Sequence, residues 1–129
     1  MAEIEVELSR IVIDEASDQQ IIVLKEKNGS RTLPIVIGIV EIMAIDRRLK
    51  GKMPLRPLTH DLLGNIIGQL GAKIDKVIIS DMKNHTYYAT IHISLNGKKI
   101  TVDARPSDAI AVGIATEVPL FAAEHVLGN

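Results

Sequence analysis

Two short stretches of the sequence each place an arginine, a proline, a hydroxyl side chain and an acid within a few residues. One runs RPLTHD from Arg56 to Asp61, and the other runs RPSD from Arg105 to Asp108. An arginine can grip a phosphate or a carboxylate through two parallel hydrogen bonds, and aspartates can hold a divalent cation. If the two stretches lie side by side, their side chains could bind and cleave a phosphodiester.

The chemistry of the side chains predicts a role for each in such a site. Arg56 and Arg105 would clamp the phosphate, and His60 would act as a general acid or base. Asp61 is a poor partner for His60, because adjacent helical residues point about 100° apart. A bound Mg²⁺ or Mn²⁺ that activates water would be held by three carboxylates, those of Asp61, Asp103 and Asp108. Glu41 could join this group, although its spacing does not assign it a role.

A basic segment before the first stretch could contact the backbone of a nucleic acid. It supplies four predicted substrate-binding cations, which are Arg47, Arg48, Lys50 and Lys52. Thr59 and Ser107 are the predicted hydroxyl contacts to the substrate. The alternative for the basic segment is a solvated helix end, where the helix dipole favours cations.

Both stretches can also be explained as ordinary helix starts. Thr59 and Ser107 are typical N-cap residues, proline is tolerated at a helix start, and acids in the first turn complement the helix dipole. Capping does not explain Arg56 or Arg105, which could instead belong to an internal Arg–Asp network that locks the fold. A purely architectural role, such as an oligomer interface, also stays open.

Periodicity along the chain places both stretches at predicted helix starts. Alternation of apolar and polar residues predicts strands over 3–13, 20–27, 31–37, 73–82, 86–95 and 98–104. A helical period predicts helices over 38–50, 59–70 and 107–116, followed by a short strand over 118–121 and a helical turn over 122–127. The order βββ-αα-βββ-α with a short tail favours an α+β fold, with a mixed, largely antiparallel sheet and about three packed helices.

Composition limits the class of protein. The 129 residues are predicted to form one domain over 1–129, and a hydrophobic content of 47% suggests that some apolar surface is buried in a homo-oligomer. A net charge of −1 argues against a protein dedicated to coating nucleic acids, and the lack of cysteine excludes disulfides and thiolate zinc sites. No apolar run reaches the roughly 18 residues of a membrane span, so a cytoplasmic protein without membrane contact is expected.

The two stretches together resemble the bifunctional nuclease domain. The resemblance rests on RPLTHDLL over 56–63 and VDARPSDAIA over 102–111, supported by LPIVIG over 33–38, Glu41 and VPLFAAEHVL over 118–127. It implies a small α+β domain, cytosolic in bacteria and oligomeric, whose plant members carry extra segments and are associated with DNase and RNase activity. The site residues named above are inferred from their chemistry and are not carried over from the family.

The sequence therefore predicts a nuclease of low sequence specificity that acts on DNA or RNA. The alternative is a non-catalytic binding or regulatory module, which would use the same pocket for an anionic ligand or would bind a protein partner. The near-neutral charge and the scarcity of aromatic side chains for base stacking favour this alternative. The chemistry of the two stretches favours the enzyme.

Overall fold

The described residues form seven strands and three helices, which follow one another in the predicted order. The structure is a computed structural model that describes residues 2–14, 16, 19–52 and 55–127. The strands are β1 (Glu3–Val12), β2 (Gln20–Glu26), β3 (Thr32–Ile37), β4 (Lys73–Lys83), β5 (Thr86–Leu95), β6 (Lys98–Ala104) and β7 (Leu120–Ala123). The helices are α1 (Ile39–Leu49), α2 (Thr59–Gln69) and α3 (Pro106–Ala115), and a 3₁₀ turn, Glu124–Val126, follows β7. The predicted α+β class is confirmed.

Local turn chemistry defines the two antiparallel halves of the sheet. β1, β2 and β3 pair in one half, and β4, β5 and β6 pair in the other. The turn between β5 and β6 has positive φ at both Asn96 (50°) and Gly97 (81°), as an Asn-Gly hairpin requires. Pro34 lies in β3, which is an edge strand, as the missing N–H of proline predicts.

The four-residue strand β7 joins the two halves into one mixed sheet. The strand order is β3-β2-β1-β7-β4-β5-β6, with β7 antiparallel to β1 and parallel to β4. Leu120 pairs with Val6 on one side and with Val77 on the other. The sequence predicted a short strand here but not its central position.

Helix α3 is the centre of the core. Its residues from Ala109 to Gly113 are all buried, and it packs on β3, β4 and β5 as well as on both other helices. Contact with β3 at one edge and β5 near the other shows that the sheet curls around this helix. Strands from both halves of the sheet therefore lie near the start of α3.

The two outer helices are less buried than their periodicity predicts. In α1 only Ile42 and Ile45 are buried, and the apolar Ile39, Met43 and Leu49 are exposed. Helix α2 has no buried residue. Both helices cover α3 from outside, so only the sides that face α3 are enclosed. None of the described helices is long and apolar enough to span a bilayer.

Candidate functional site

The starts of the three helices meet at one place, where four charged or titratable side chains form a chain of contacts. His60 in α2 lies with Nε2 3.5 Å from Oδ1 of Asp108 in α3. Arg105 contacts Oδ2 of Asp108 through Nη2 at 3.0 Å and reaches Oε1 of Glu41 in α1 at 3.6 Å. We call Glu41, His60, Arg105 and Asp108 the helix-start cluster.

At none of the three helix starts does the side chain of the N-cap residue cap the helix. The N-cap residues are Gly38, Leu58 and Arg105, and none makes a side-chain capping hydrogen bond. The prediction that Thr59 and Ser107 are N-cap residues is therefore wrong. Thr59 is the first residue of α2, and Ser107 is the second residue of α3. Pro106 is the first residue of α3, where its fixed φ suits a helix and its missing N–H costs nothing.

Uncapped starts leave backbone donors available at the cluster. The first-turn N–H groups of a helix have no partner within the helix, and together with the dipole they form a natural anion site. Helix α3 offers the N–H groups of Ser107 and Asp108 beside the guanidinium of Arg105. The hydroxyl of Ser107 remains free of a capping role.

His60 acquires a carboxylate partner that the sequence did not indicate. The partner is Asp108 of α3, and not the adjacent Asp61. The His60 side chain is only 13% exposed, whereas that of Asp108 is 37% exposed. A carboxylate beside an imidazole nitrogen fixes the orientation of the ring, which is an arrangement that acid–base catalysis uses.

Arg105 is held by two carboxylates but remains open to solvent. Besides its Nη2 contacts, its Nε donates to Oδ2 of Asp108 at 3.1 Å, and the side chain is 72% exposed. A guanidinium has several N–H donors in a fork, so two carboxylates do not exhaust them. Glu41, whose role its spacing did not assign, is one of the two residues that fix Arg105.

Asp61 belongs to a separate, structural network. Its Oδ2 accepts the backbone N–H of Leu58 at 3.0 Å, and its Oδ1 lies 3.7 Å from Nη1 of Arg48. Arg48 also donates from Nη2 to the carbonyl of Ala115 at 2.8 Å, so it ties α1 to the end of α3. An Arg–Asp network is thus present, but it contains Arg48 and Asp61 and not Arg56 or Arg105, for which the sequence left such a network open.

The other predicted residues are spread around the cluster. Lys50 pairs with Asp46 at 2.9 Å within α1, and Arg56 is exposed just before α2. Asp103 lies exposed on β6, opposite Thr90. Among the described residues no three His, Asp or Glu side chains gather to hold a metal ion. Asp61, Asp103 and Asp108 therefore do not fit a shared cation site in this arrangement, and the Mg²⁺ or Mn²⁺ stays a prediction.

Two grooves flank the helix-start cluster. The first groove, of about 360 Å³, lies between α1 and α2 and is lined by Ile39, Val40, Met43, Arg47, Thr59 and His60 among others. The second groove, of about 510 Å³, lies between β3, the β4–β5 turn and the start of α3, and its lining includes 34–38, 85–87, Arg105 and Ser107. His60 lines the first groove and Arg105 lines the second, and Asp108 contacts both residues. Lys52 lines a narrower pocket together with Arg47 and His60.

Comparison with known proteins places the chain in a family. The bifunctional nuclease domain matches residues 22–129, a range that contains the whole cluster and both grooves. The chain belongs to the bifunctional nuclease domain family. The resemblance expected from the two Arg-Pro stretches is thereby confirmed.

Similar members of the family come from bacteria and plants. An uncharacterized protein of Mycobacterium tuberculosis is 40% identical over 125 residues, which are 97% of this chain and 74% of that protein. Bifunctional nuclease 2 of Oryza sativa subsp. japonica is 29% identical over 112 residues, 84% of this chain and 34% of that protein. Bifunctional nuclease 2 of Arabidopsis thaliana is 25% identical over 103 residues, 77% of this chain and 31% of that protein. The chain thus spans about a third of these plant proteins.

Proposed function

We propose that the protein hydrolyses phosphodiester bonds of DNA or RNA with low sequence specificity, at the helix-start cluster. The observation that carries the proposal is the contact chain from Glu41 through Arg105 and Asp108 to His60, across the starts of three helices. Membership of a family whose plant relatives are named bifunctional nucleases supports the same reaction class.

His60 is the proposed acid–base group. Asp108, whose Oδ1 lies 3.5 Å from Nε2, orients the imidazole ring, and a ring nitrogen that carries a proton can donate it to the leaving oxygen of a phosphodiester. The neutral imidazole can in turn remove a proton from attacking water. The low exposure of His60 limits the motion of its ring, so that the proton is delivered along a fixed direction.

Arg105 and the start of α3 are the proposed phosphate contacts. The exposed guanidinium and the first-turn N–H groups of Ser107 and Asp108 can donate to phosphate oxygens while charge develops on them. Arg47 lines the same groove as His60 and is the proposed contact for a neighbouring phosphate. Arg56, Lys52 and Thr59 stay proposed contacts to the substrate strand.

The positive charge at the centre of the cluster comes from Arg105, which lies between the carboxylates of Glu41 and Asp108. No step of the proposed reaction is assigned to a metal ion. A requirement for Mg²⁺ or Mn²⁺ is tested directly by assays with each ion and with a chelator.

The proposal is tested by a cleavage assay on single-stranded DNA, duplex DNA and RNA. We expect His60→Ala and Arg105→Ala each to slow cleavage by about 10² to 10⁴-fold, because each removes a group that acts on the reacting phosphate. His92→Ala, on β5, is the matched control and should cleave at the wild-type rate. Equal cleavage by all four proteins would indicate a contaminating nuclease, and no cleavage by wild type would contradict the proposal.

A second candidate function is a non-catalytic module that binds an anionic ligand or a protein partner. The two carboxylates and one guanidinium of the cluster weigh against an anion and therefore favour the protein partner. Apolar Ile39, Val40 and Met43 in the first groove would suit a protein segment. Binding of nucleic acid without cleavage, in the same assays, would support this candidate over the enzyme.

We also propose a homo-oligomer in which a second copy covers the outer side of α2. Leu62, Leu63 and Ile66 are between 42% and 50% exposed and Leu70 is 74% exposed, which forms an apolar surface of the kind that proteins bury at interfaces. Light scattering on the eluting protein should give a multiple of 14.1 kDa, and Leu70→Glu should shift it towards 14.1 kDa. Met82→Glu, on β4, is the control.

The cytoplasmic location stays a prediction that cell fractionation would test.

A further inference from the structure

Ser107 is a buried residue whose hydroxyl has no hydrogen-bond partner among the residues that the structure describes. The residue is 8% exposed, it is the second residue of α3, and it neither caps the helix nor forms a hydrogen bond with a described residue. Among the described residues, no fully enclosed side-chain oxygen lacks a hydrogen-bond partner. The hydroxyl of Ser107 therefore reaches the surface of the second groove, whose wall it forms.

The surroundings of this hydroxyl are suited to a phosphate. The N–H groups of Ser107 and Asp108 belong to the first turn of a ten-residue helix that has no side-chain cap. Arg105 lines the same groove, and His85 lies across it in the β4–β5 turn. A hydroxyl, free backbone donors, a guanidinium and the positive end of a helix dipole thus converge on one wall.

The remainder of the groove is suited to a nucleobase. Tyr87 is half-buried against the core and lines the groove beside Thr86. Pro34 and Val36 of β3 are apolar residues that line the same groove. A volume of about 510 Å³ lies within the usual range of small-ligand sites, and aromatic side chains bind bases by stacking without sequence preference.

We propose that the second groove binds one nucleotide of the substrate strand, with its phosphate at Ser107 and the start of α3 and its base beside Tyr87. This inference rests on the proposed nuclease function and deepens it by naming a subsite next to the cleaved bond. Because Asp108 connects Arg105 to His60, the nucleotide in the second groove lies next to the phosphodiester that His60 acts on. The subsite recognises the phosphate and the planar base, not the identity of the base.

Titration calorimetry with three probes tests the subsite without requiring catalysis. The probes are adenosine 5′-monophosphate, inorganic phosphate and adenosine, each titrated into the full chain. We expect the monophosphate to bind, inorganic phosphate to compete with it, and adenosine to bind at least tenfold more weakly, since a hydrogen bond to a charged group contributes roughly a factor of ten or more.

Two variants separate the phosphate contacts from the base contacts. Ser107→Ala should weaken both the monophosphate and inorganic phosphate about tenfold. Tyr87→Leu should weaken the monophosphate about tenfold and leave inorganic phosphate unchanged, since it removes stacking alone. Ser30→Ala, in the exposed turn after β2, is the matched control, and circular dichroism confirms that each variant is folded.

If Ser107→Ala does not fold, Ser107→Thr, which keeps the hydroxyl, should bind the monophosphate like wild type. Absence of monophosphate binding, unchanged affinity in Ser107→Ala, or equal binding of adenosine would each overturn the subsite. Cleavage that requires His60 without monophosphate binding would overturn the subsite alone. Binding as expected without cleavage would overturn the nuclease proposal alone.

Discussion

The starts of α2 and α3 carry similar residues but use them in different ways. Both have Arg-Pro followed by a hydroxyl residue and an acid, yet the proline precedes α2 and is the first residue of α3. Counted from the helix start, Asp61 and Asp108 both occupy the third position. Asp61 turns back onto the N–H of Leu58, whereas Asp108 faces Arg105 and His60.

The difference shows how the N-cap residue decides the role of the acid that follows it. Leu58 has no polar side chain, so the carboxylate of Asp61 accepts the backbone N–H at the helix start and pairs with Arg48. The N-cap residue of α3, Arg105, is itself a cation, so the carboxylate of Asp108 pairs with it in the helix-start cluster at the surface. We infer that the start of α2 is mainly structural apart from His60, and that the start of α3 is functional.

The largest expected effect comes from neutralising one of the two acids. Asp108→Asn should lower the cleavage rate by roughly 10²- to 10⁴-fold with little change in stability, because the ring of His60 loses its orienting carboxylate. Asp61→Asn should leave the rate unchanged. Rates for both variants on one RNA substrate check this, and equal losses would remove the distinction between the two helix starts.

The second prediction concerns the packing of the two helices behind these starts. A Cβ at Gly113 in α3 would lie 2.7 Å from Cδ2 of Leu120 and 3.3 Å from Cγ2 of Val77. Gly113→Ala should therefore lower the free energy of unfolding by about 1–3 kcal/mol through overpacking. In α2 nothing lies within 4 Å of a Cβ at Gly68.

Gly68→Ala is thus the matched control for that prediction. It should raise the free energy of unfolding by about 0.5–1 kcal/mol, because alanine has the higher helix propensity. Urea unfolding of both variants measures the two effects. The same sign for both would contradict the contrast between a buried α3 and an outer α2.

A smaller loss is expected when the structural acid is removed altogether. Asp61→Ala deletes the acceptor for the Leu58 N–H and the partner of Arg48 at once. The free energy of unfolding should fall by about 1 kcal/mol, a usual value for a lost helix-start contact. Thermal unfolding followed by circular dichroism measures it, and an unchanged melting temperature would show that Asp61 has no structural role.

The smallest effect is expected from an ion pair far from both helix starts, which shows how a purely structural pair responds to pH. Glu26 accepts from Nε of Arg31 at 2.7 Å and from Nη2 at 3.2 Å. The Arg31 hydrogen bond lowers the pKa of Glu26 below its ordinary 4.5. Stability from this pair is therefore present above about pH 4.5 and is lost as pH falls through the lowered pKa.

Glu26→Gln should accordingly flatten the acid side of the curve of melting temperature against pH, and it should leave cleavage unchanged at neutral pH. Melting curves between pH 3 and pH 7 check this. If the curves of wild type and Glu26→Gln are equally steep, the acid sensitivity belongs to other carboxylates.

Local signals in the sequence determined the elements and several of their ends. The alternation in β5, the Asn-Gly turn at Asn96 and the left-handed Gly71 after α2 each act within a few residues of the chain, so periodicity and turn chemistry are sufficient to predict them. The family was also recognisable, because RPLTHDLL and VDARPSDAIA are contiguous motifs. For the same reason Arg105, Asp108 and His60 could be chosen as candidates.

Only the tertiary structure decided which of these residues meet. The pairing of His60 with Asp108 joins residues of two helices, and the contact between Glu41 and Arg105 brings in a third. Such contacts depend on how α1 and α2 pack on α3, and that packing depends on β7, which inserts between β1 and β4 at a position no local signal specifies. Sequence spacing fixes directions along one element, whereas distances between elements follow from the burial of the whole apolar core.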